Sequence, residues 1–571
     1  MLAFVGSPRY NRERALVCTL FAMAIGALGA GCTPSRQTMA TLAHVPRFES
    51  APCWSTIPAN VFARCGFLVV PEDRAARNGR TIRVAVAIVR AAAKNPAPTP
   101  LVYLDGGPGG APILSASLPV DEHLNADRDL ILVDQRGTYY SQPQLTCPVL
   151  DRFFSRLLGL VYDAASTRRE HVAATSACRA QLIASGIDLA AYNTMENAAD
   201  FADLRRTLGY KQWNVYGISY GTNLALNLMR IDPSGIRSVV LDSTEPPNLV
   251  ALPAFWPQAA HGFAKLFAAC AAQPTCGRTQ RDLEANFARL VVKLESRPVT
   301  ANVLDPISHR GVKVTTDGGA LANWLVGMSF ATAQFKDVPL WIGQLAGGKL
   351  QSIAASRAAS VTPPGLIGYG LTFGVICSEW YPFARYSEIL TEGRRALPGY
   401  PSSVLREPPQ FTFVTDDCRI WNVPKAPARV RETVRSTIAT LILSGSFDAV
   451  TASPWAKAAA TMLANSRLLV FPGVGHGVAP ASACAQAVVR SFLMQPHAPN
   501  VRCVASVKPP VFTSPDFARN LGGRFTSSLG LLEREQRQPA GSLCAAGSRN
   551  VHSRLCLRSS GDRHRSCRQG S

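Results

Sequence analysis

The residues Asn214-Val215-Tyr216-Gly217-Ile218-Ser219-Tyr220-Gly221-Thr222 carry the only Gly-x-Ser-x-Gly pattern in the sequence. An apolar run enters it, and the helix-prone Leu224-Ala225-Leu226-Asn227-Leu228-Met229 leaves it, so the stretch reads as strand, sharp turn and helix. In that setting the glycines let backbone and helix approach closely, while the serine is held in a strained conformation with its hydroxyl exposed. A serine hydroxyl is a poor nucleophile at neutral pH. It needs a histidine to take its proton and a carboxylate to fix the imidazole tautomer and stabilise the cation. Two later strands offer these groups: Thr437 to Asp448 ends on Asp448, and Arg467 to Gly477 ends on His476 between glycines. Asp242, at the end of Arg237 to Ser243, is the rival acid. His123, His171 and His261 lack a comparable position and read as surface or structural residues.

Acyl transfer also needs donors for a developing oxyanion. Pro100-Leu101-Val102-Tyr103-Leu104 reads as a buried strand ending in Asp105-Gly106-Gly107-Pro108-Gly109-Gly110, a loop whose backbone N–H groups can face an anion. One donor is expected from Gly106 or Gly107 and the second from Tyr220, the residue after the nucleophile. Asp134 and Arg136, at the end of the next strand, are read as holding their loop through ion pairs and backbone contacts. Nothing in this chemistry calls for a cofactor. Clustered Cys-x-x-Cys pairs are absent, so no metal is expected.

The elements that must position these groups follow from hydrophobic patterning. Gly66 to Val70 and the alternating Thr81 to Val89 read as an antiparallel edge. Buried strands at Pro100–Leu104, Asp129–Asp134, the nucleophile strand and Arg237–Ser243 follow, with a helix from Glu196 to Leu208 before the nucleophile. This βαβ alternation implies an α/β protein with a mostly parallel sheet and helices on both faces. From Glu245 to about Val434 the alternation stops, and the segment reads as a largely helical cap inserted over the site. The expected division is a first core part at 50–245, a cap at 246–434, a second core part at 435–513 and a basic, low-complexity tail at 514–571.

A hydrophobic content of 47% with 17% charged residues describes a globular chain. The net charge of +21 is scattered, with ten arginines against four acids from Asp516 onward. No basic run interleaved with aromatics appears, which argues against nucleic acid as a partner. Residues 1–32 resemble an export signal. Arg9, Arg12 and Arg14 precede the apolar Leu16–Ala30, which is too short for a comfortable membrane span. Leu28-Gly29-Ala30-Gly31-Cys32 is similar to a lipobox, although Gly29 departs from it, so lipid anchoring at Cys32 and simple secretion both stay open. That anchor is the only membrane contact expected. Ten cysteines in the mature body form an even set, which in an oxidising compartment points to disulfides, most simply between sequence neighbours.

Five motifs in order, Asp105-Gly106-Gly107-Pro108-Gly109, Asp134-Gln135-Arg136-Gly137-Thr138, Gly217-Ile218-Ser219-Tyr220-Gly221-Thr222, Ser444 to Thr451, and Gly473-Val474-Gly475-His476-Gly477, resemble the α/β-hydrolase serine exopeptidases of the prolyl aminopeptidase and tripeptidyl aminopeptidase group. The tripeptidyl branch is the nearer match, and the likeness covers about Cys53 to Phe512. It implies an α/β-hydrolase fold, a triad of Ser219, Asp448 and His476, and release of residues or short peptides from free N-termini. It also implies a Cys377–Cys418 staple between the cap and the C-terminal region. Two departures bear on substrate choice: Asp105 stands where prolyl aminopeptidases carry histidine, and Tyr139-Tyr140-Ser141 replaces a small Gly-x-Ser. An exopeptidase needs a carboxylate for the substrate ammonium, and Glu379 and Glu388 in the cap are the candidates. The same machinery can serve an ester or lactone, and loss of catalysis would leave a surface binding protein.

Overall fold

The computed structural model describes residues 45–305 and 309–514. The segment read as an export signal, with Cys32, and the tail from Pro515 lie outside the described residues.

Eleven strands occur among the described residues: β1 (Arg47–Ala51), β2 (Ala63–Pro71), β3 (Thr81–Val89), β4 (Leu101–Leu104), β5 (Leu130–Asp134), β6 (Trp213–Ile218), β7 (Ile236–Asp242), β8 (Val299–Leu304), β9 (Gly311–Thr316), β10 (Ala439–Gly445) and β11 (Ser466–Phe471). Nine of them form one sheet in the order β1-β2-β3-β5-β4-β6-β7-β10-β11. The β1-β2-β3 edge is antiparallel and joins β5 antiparallel, and from β5 to β11 every pairing is parallel. Every residue of β4, β5 and β10 is buried, as expected of parallel strands covered on both faces. Helices Thr194–Thr207 and Tyr220–Ile231 flank β6 in sequence and pack against each other.

Register decides where the site falls. Leu104 pairs with Gly217, Gly217 with Leu241, Ile218 with Asp242, and Asp242 with Leu443. Four parallel strands therefore end side by side, and β11 joins them with Phe471 opposite Gly445. The loops bearing Gly106, Ser219, Asp448 and His476 all leave this carboxyl edge, where ligands bind in open α/β sheets.

Among the described residues from Ser243 to Ile438, none lies in a strand of the large sheet. This insertion holds helices such as Ala251–Ala272 and Leu283–Ser296, together with the β8-β9 hairpin. The hairpin is an addition to the largely helical insertion expected from sequence. Residues in β8 are mostly exposed, so no apolar rhythm marked it in the sequence. Strand β1 was likewise missed, being a short edge strand with no fully buried residue.

Five disulfides join sequence neighbours: Cys53–Cys65, Cys147–Cys178, Cys270–Cys276, Cys377–Cys418 and Cys484–Cys503. Cys377–Cys418 lies within the insertion and ties the turn Ile376–Trp380 to helix Val414–Trp421. That helix in turn reaches the core helix Ala165–Ala184, where Asp417 Oδ1 accepts from Thr175 Oγ1 at 2.8 Å and lies 2.6 Å from His171 Nε2. His171 thus serves the packing of the insertion on the core.

Candidate active site

Ser219 caps helix Tyr220–Ile231 with φ 56° and ψ −129°, a conformation costly for any residue with a Cβ. The glycines around it are there for space. A Cβ on Gly221 would fall 2.0 Å from Leu104 O, and one on Gly217 would fall 2.4 Å from Gly221 O. Ser219 N–H donates to Asp242 O at 3.0 Å, which moors the elbow to the neighbouring strand. Its hydroxyl has no hydrogen-bond partner among the described residues.

Asp448 and His476 are in contact, with His476 Nδ1 at 3.0 Å from Asp448 Oδ2. Asp448 is fully buried and collects further donors: Val450 N–H and Thr451 N–H on Oδ1 at 2.8 and 2.9 Å, and Thr451 Oγ1 on Oδ2 at 2.8 Å. Burial alone would raise its pKa. The neighbouring imidazole and these N–H groups outweigh burial and hold the carboxyl below its ordinary value. The other ring nitrogen, His476 Nε2, is buried and makes no hydrogen bond among the described residues. The Asp–His link is therefore formed, and the Ser–His link is not made in this structure. The histidine and nucleophile loops nevertheless touch, since a Cβ on Gly477 would lie 3.3 Å from Ile218 Cδ1.

Asp242 has other work. Its Oδ1 accepts from Val478 N–H at 2.7 Å, and its Oδ2 accepts from Ala479 N–H at 2.8 Å and Tyr216 Oη at 2.7 Å. It anchors the chain just after His476 rather than the imidazole itself.

Of the expected oxyanion donors, Gly106 N–H is engaged, donating to Asp105 Oδ1 at 2.8 Å. Burial pushes the Asp105 carboxyl up to about 6 in spite of that bond. The N–H groups of Gly107 and Tyr220 have no acceptor among the described residues. Gly107 has φ 112°, which favours glycine, and is exposed. Gly106 serves by its smallness, because a Cβ there would sit 2.8 Å from Ser219 Cβ and 3.4 Å from Ser219 Oγ. Gly106→Ala is expected to displace the loop and lower kcat by about 10² to 10³, the scale of one lost oxyanion donor. Steady-state kinetics with an unchanged melting temperature would check this. The insertion fastens the same loop: Thr372 Oγ1 donates to Pro108 O at 2.7 Å, and Gly368 N–H to Gly109 O at 2.9 Å.

Asp134 accepts from Ile113 N–H and Tyr140 N–H, and buried Arg136 pairs with Asp200 and donates to the carbonyls of Glu72 and Ala191. Both hold loops, as expected.

The two cap glutamates fare differently. Glu388 lies on helix Tyr386–Ala396, where its carboxylate accepts from Arg385 N–H at 3.1 Å and caps that helix. No contact brings it to the site. Glu379 is buried and accepts from Thr194 N–H at 2.7 Å and Thr194 Oγ1 at 2.6 Å. Thr194 Oγ1 lies 2.9 Å from Tyr220 Oη, which links Glu379 to the nucleophile elbow. A second buried acid, Glu245, faces the same elbow. Its N–H donates to Thr222 Oγ1 at 2.8 Å, and Asn223 Nδ2 donates to its Oε1 at 3.3 Å. Burial pushes Glu379 up to about 7. Burial, with the charge of Glu379 added, pushes Glu245 up to about 8. No sequence signal marks Glu245, because an acid just past a strand end looks like an ordinary loop residue.

Fold and site together define an α/β-hydrolase. The model described as "alpha/beta hydrolase fold" matches residues 99–334, and the model described as "TAP-like protein" matches residues 409–504. A tripeptidyl aminopeptidase of Streptomyces coelicolor is 28% identical over 193 residues, covering 32% of this chain and 36% of that protein. The chain thus matches only about a third of that relative's length. YuaR of Escherichia coli (strain K12) is 24% identical over 476 residues, covering 77% of this chain and 88% of that protein. Among solved structures, a proline iminopeptidase of Mycobacterium smegmatis is 16% identical with a TM-score of 0.35, covering 76% of this chain and 98% of that one.

Proposed function

We propose that the chain is an exported serine hydrolase that releases N-terminal residues or short peptides through an acyl-serine intermediate. The observation that carries this is the Asp448–His476 pair beside a strained, unbonded Ser219 hydroxyl and the two free N–H groups of Gly107 and Tyr220. In this reading Ser219 Oγ closes on His476 Nε2, which takes its proton as Oγ attacks the carbonyl carbon. The two N–H groups hold the oxyanion, and the imidazolium returns the proton to the leaving amine. Water then repeats the sequence on the acyl-serine. Five disulfides and the N-terminal signal support export.

Glu379 and Glu245 are proposed to receive the substrate's α-ammonium, because each is buried close to the nucleophile elbow without a cationic partner among its bonds. Raised carboxyls are neutral below their pKa and ionise above it, whereas the α-ammonium loses its proton near pH 8, so the pairing strengthens as pH rises towards about 7 and fades above about 8. The same shifts make the fold less stable over that climb, since the unfolded chain releases these protons earlier. Peptide amides with a free N-terminus should therefore gain kcat/KM relative to N-acetylated ones as pH rises towards about 7 and lose that gain above about 8. Glu379→Gln should flatten the ratio.

The deciding assay compares free and N-blocked peptide amides with p-nitrophenyl esters, alongside fluorophosphonate labelling of Ser219. Blocked peptides cleaved as well as free ones would exclude the aminopeptidase reading, and esters cleaved alone would leave a carboxylesterase or lactonase. No labelling would favour a binding protein.

A further inference from the structure

Phe330 is 58% exposed, yet its ring lies on the imidazole of His476, with centroids 4.9 Å apart and planes crossing at 68°. An exposed phenylalanine is common on a surface. What sets this one apart is how firmly its backbone is tied to the groups of the site. The preceding residue, Ser329, is fully buried. Its carbonyl accepts His476 N–H at 2.7 Å, and its hydroxyl accepts Ala449 N–H, next to Asp448, at 2.9 Å. On the other side, Thr332 Oγ1 accepts Gly475 N–H at 3.0 Å. Gly475 leaves no slack, since a Cβ there would lie 2.2 Å from Ser329 O. The insertion thereby grips the acid and histidine loops from Ser329 to Thr332 and holds one large apolar ring, open to solvent, against the imidazole.

Chemistry says what must pass that ring. During acylation the imidazole hands its proton to the leaving atom, so the leaving fragment comes within hydrogen-bond reach of Nε2 and hence close to a ring set edge-on against the same imidazole. The acyl fragment is held elsewhere, by the N–H groups of Gly107 and Tyr220. We infer that Phe330 is the apolar wall of a leaving-group subsite, and that it selects substrates whose departing amine carries an aromatic or branched aliphatic side chain. The inference rests on Ser219, Asp448 and His476 acting as the triad.

By microscopic reversibility the same subsite binds an amine that attacks the acyl-enzyme, so partitioning reads it directly. The full chain is acylated with p-nitrophenyl acetate, and the acetyl group is divided between water and added amino-acid amides. The serine ester bond breaks, an amide bond forms, and the amine's proton returns through His476 to Ser219. Wild type should prefer phenylalanine amide to glycine amide by about tenfold, the scale of one apolar pocket contact. Phe330→Ala should bring that ratio close to one, and Phe330→Leu should keep most of the preference. Three results would overturn the inference: no preference in wild type, a preference that survives Phe330→Ala, or a parallel fall for both amides and water. The last would mean the ring only steadies the imidazole. If wild type gives neither a nitrophenol burst nor fluorophosphonate labelling of Ser219, the triad reading itself fails and the inference falls with it.

Discussion

Replacing Ser219 by Ala is expected to cut turnover by roughly 10⁴ to 10⁶, the range seen when a member of such a triad is removed, and to leave the fold in place. The substitution deletes one oxygen, and that oxygen has no hydrogen-bond partner among the described residues, so no bond is lost. The φ of 56° is about as costly for alanine as for serine. Stability should therefore be unchanged within about 0.5 kcal/mol, the usual range for a change that breaks no contact. Residual rate would come from the N–H groups of Gly107 and Tyr220 and from substrate binding, which remain. Active-site titration with thermal melts would check both halves of the expectation. Near-normal turnover in a folded variant would place the nucleophile elsewhere.

How much of this was legible in the sequence depended on whether a residue's task left a local signature. The nucleophile elbow did, because its glycines, its apolar strand and its helix adjoin in the chain. The parallel strands did too, since burial on both faces demands long apolar runs such as Leu130-Ile131-Leu132-Val133. Neighbour pairing of the cysteines also held for all five disulfides.

What stayed hidden were tasks set by distant partners. Glu388 as a helix cap and Glu379 on Thr194 are both acids in the insertion, and only coordinates separate them. Phe330 closes an apolar helical run, and the chain turns it outward beside His476, a placement no local pattern marks. The hairpin β8-β9 had too little burial to announce itself. Gly106 or Gly107 is the donor read from sequence; the Gly106 N–H is taken by Asp105 Oδ1, and its lack of a Cβ lets Ser219 pass close by.

Both candidate acids sit at the ends of buried parallel strands, and the sequence reading places Asp448 in the triad with Asp242 as its rival. Their substitutions by Asn should separate cleanly. In Asp448→Asn the carboxamide can present N–H where Nδ1–H needs an acceptor, so the imidazole settles in the wrong tautomer, and kcat is expected to fall by about 10⁴. Asp448 is held below its ordinary pKa, so its contribution to stability is present above the unfolded aspartate range and is lost as pH falls through the depressed value. The acid limb of the wild-type rate profile therefore does not report this carboxyl. Asp242→Asn leaves one acceptor oxygen where the carboxylate took Val478 N–H on one oxygen and Ala479 N–H and Tyr216 Oη on the other. An unsatisfied buried donor costs about 1 to 3 kcal/mol, so the melting temperature should drop, with a smaller loss of kcat arising from slack in the His476 loop. Kinetics and melts on both variants would show it. A 10⁴-fold loss in Asp242→Asn with Asp448→Asn still active would exchange the two roles.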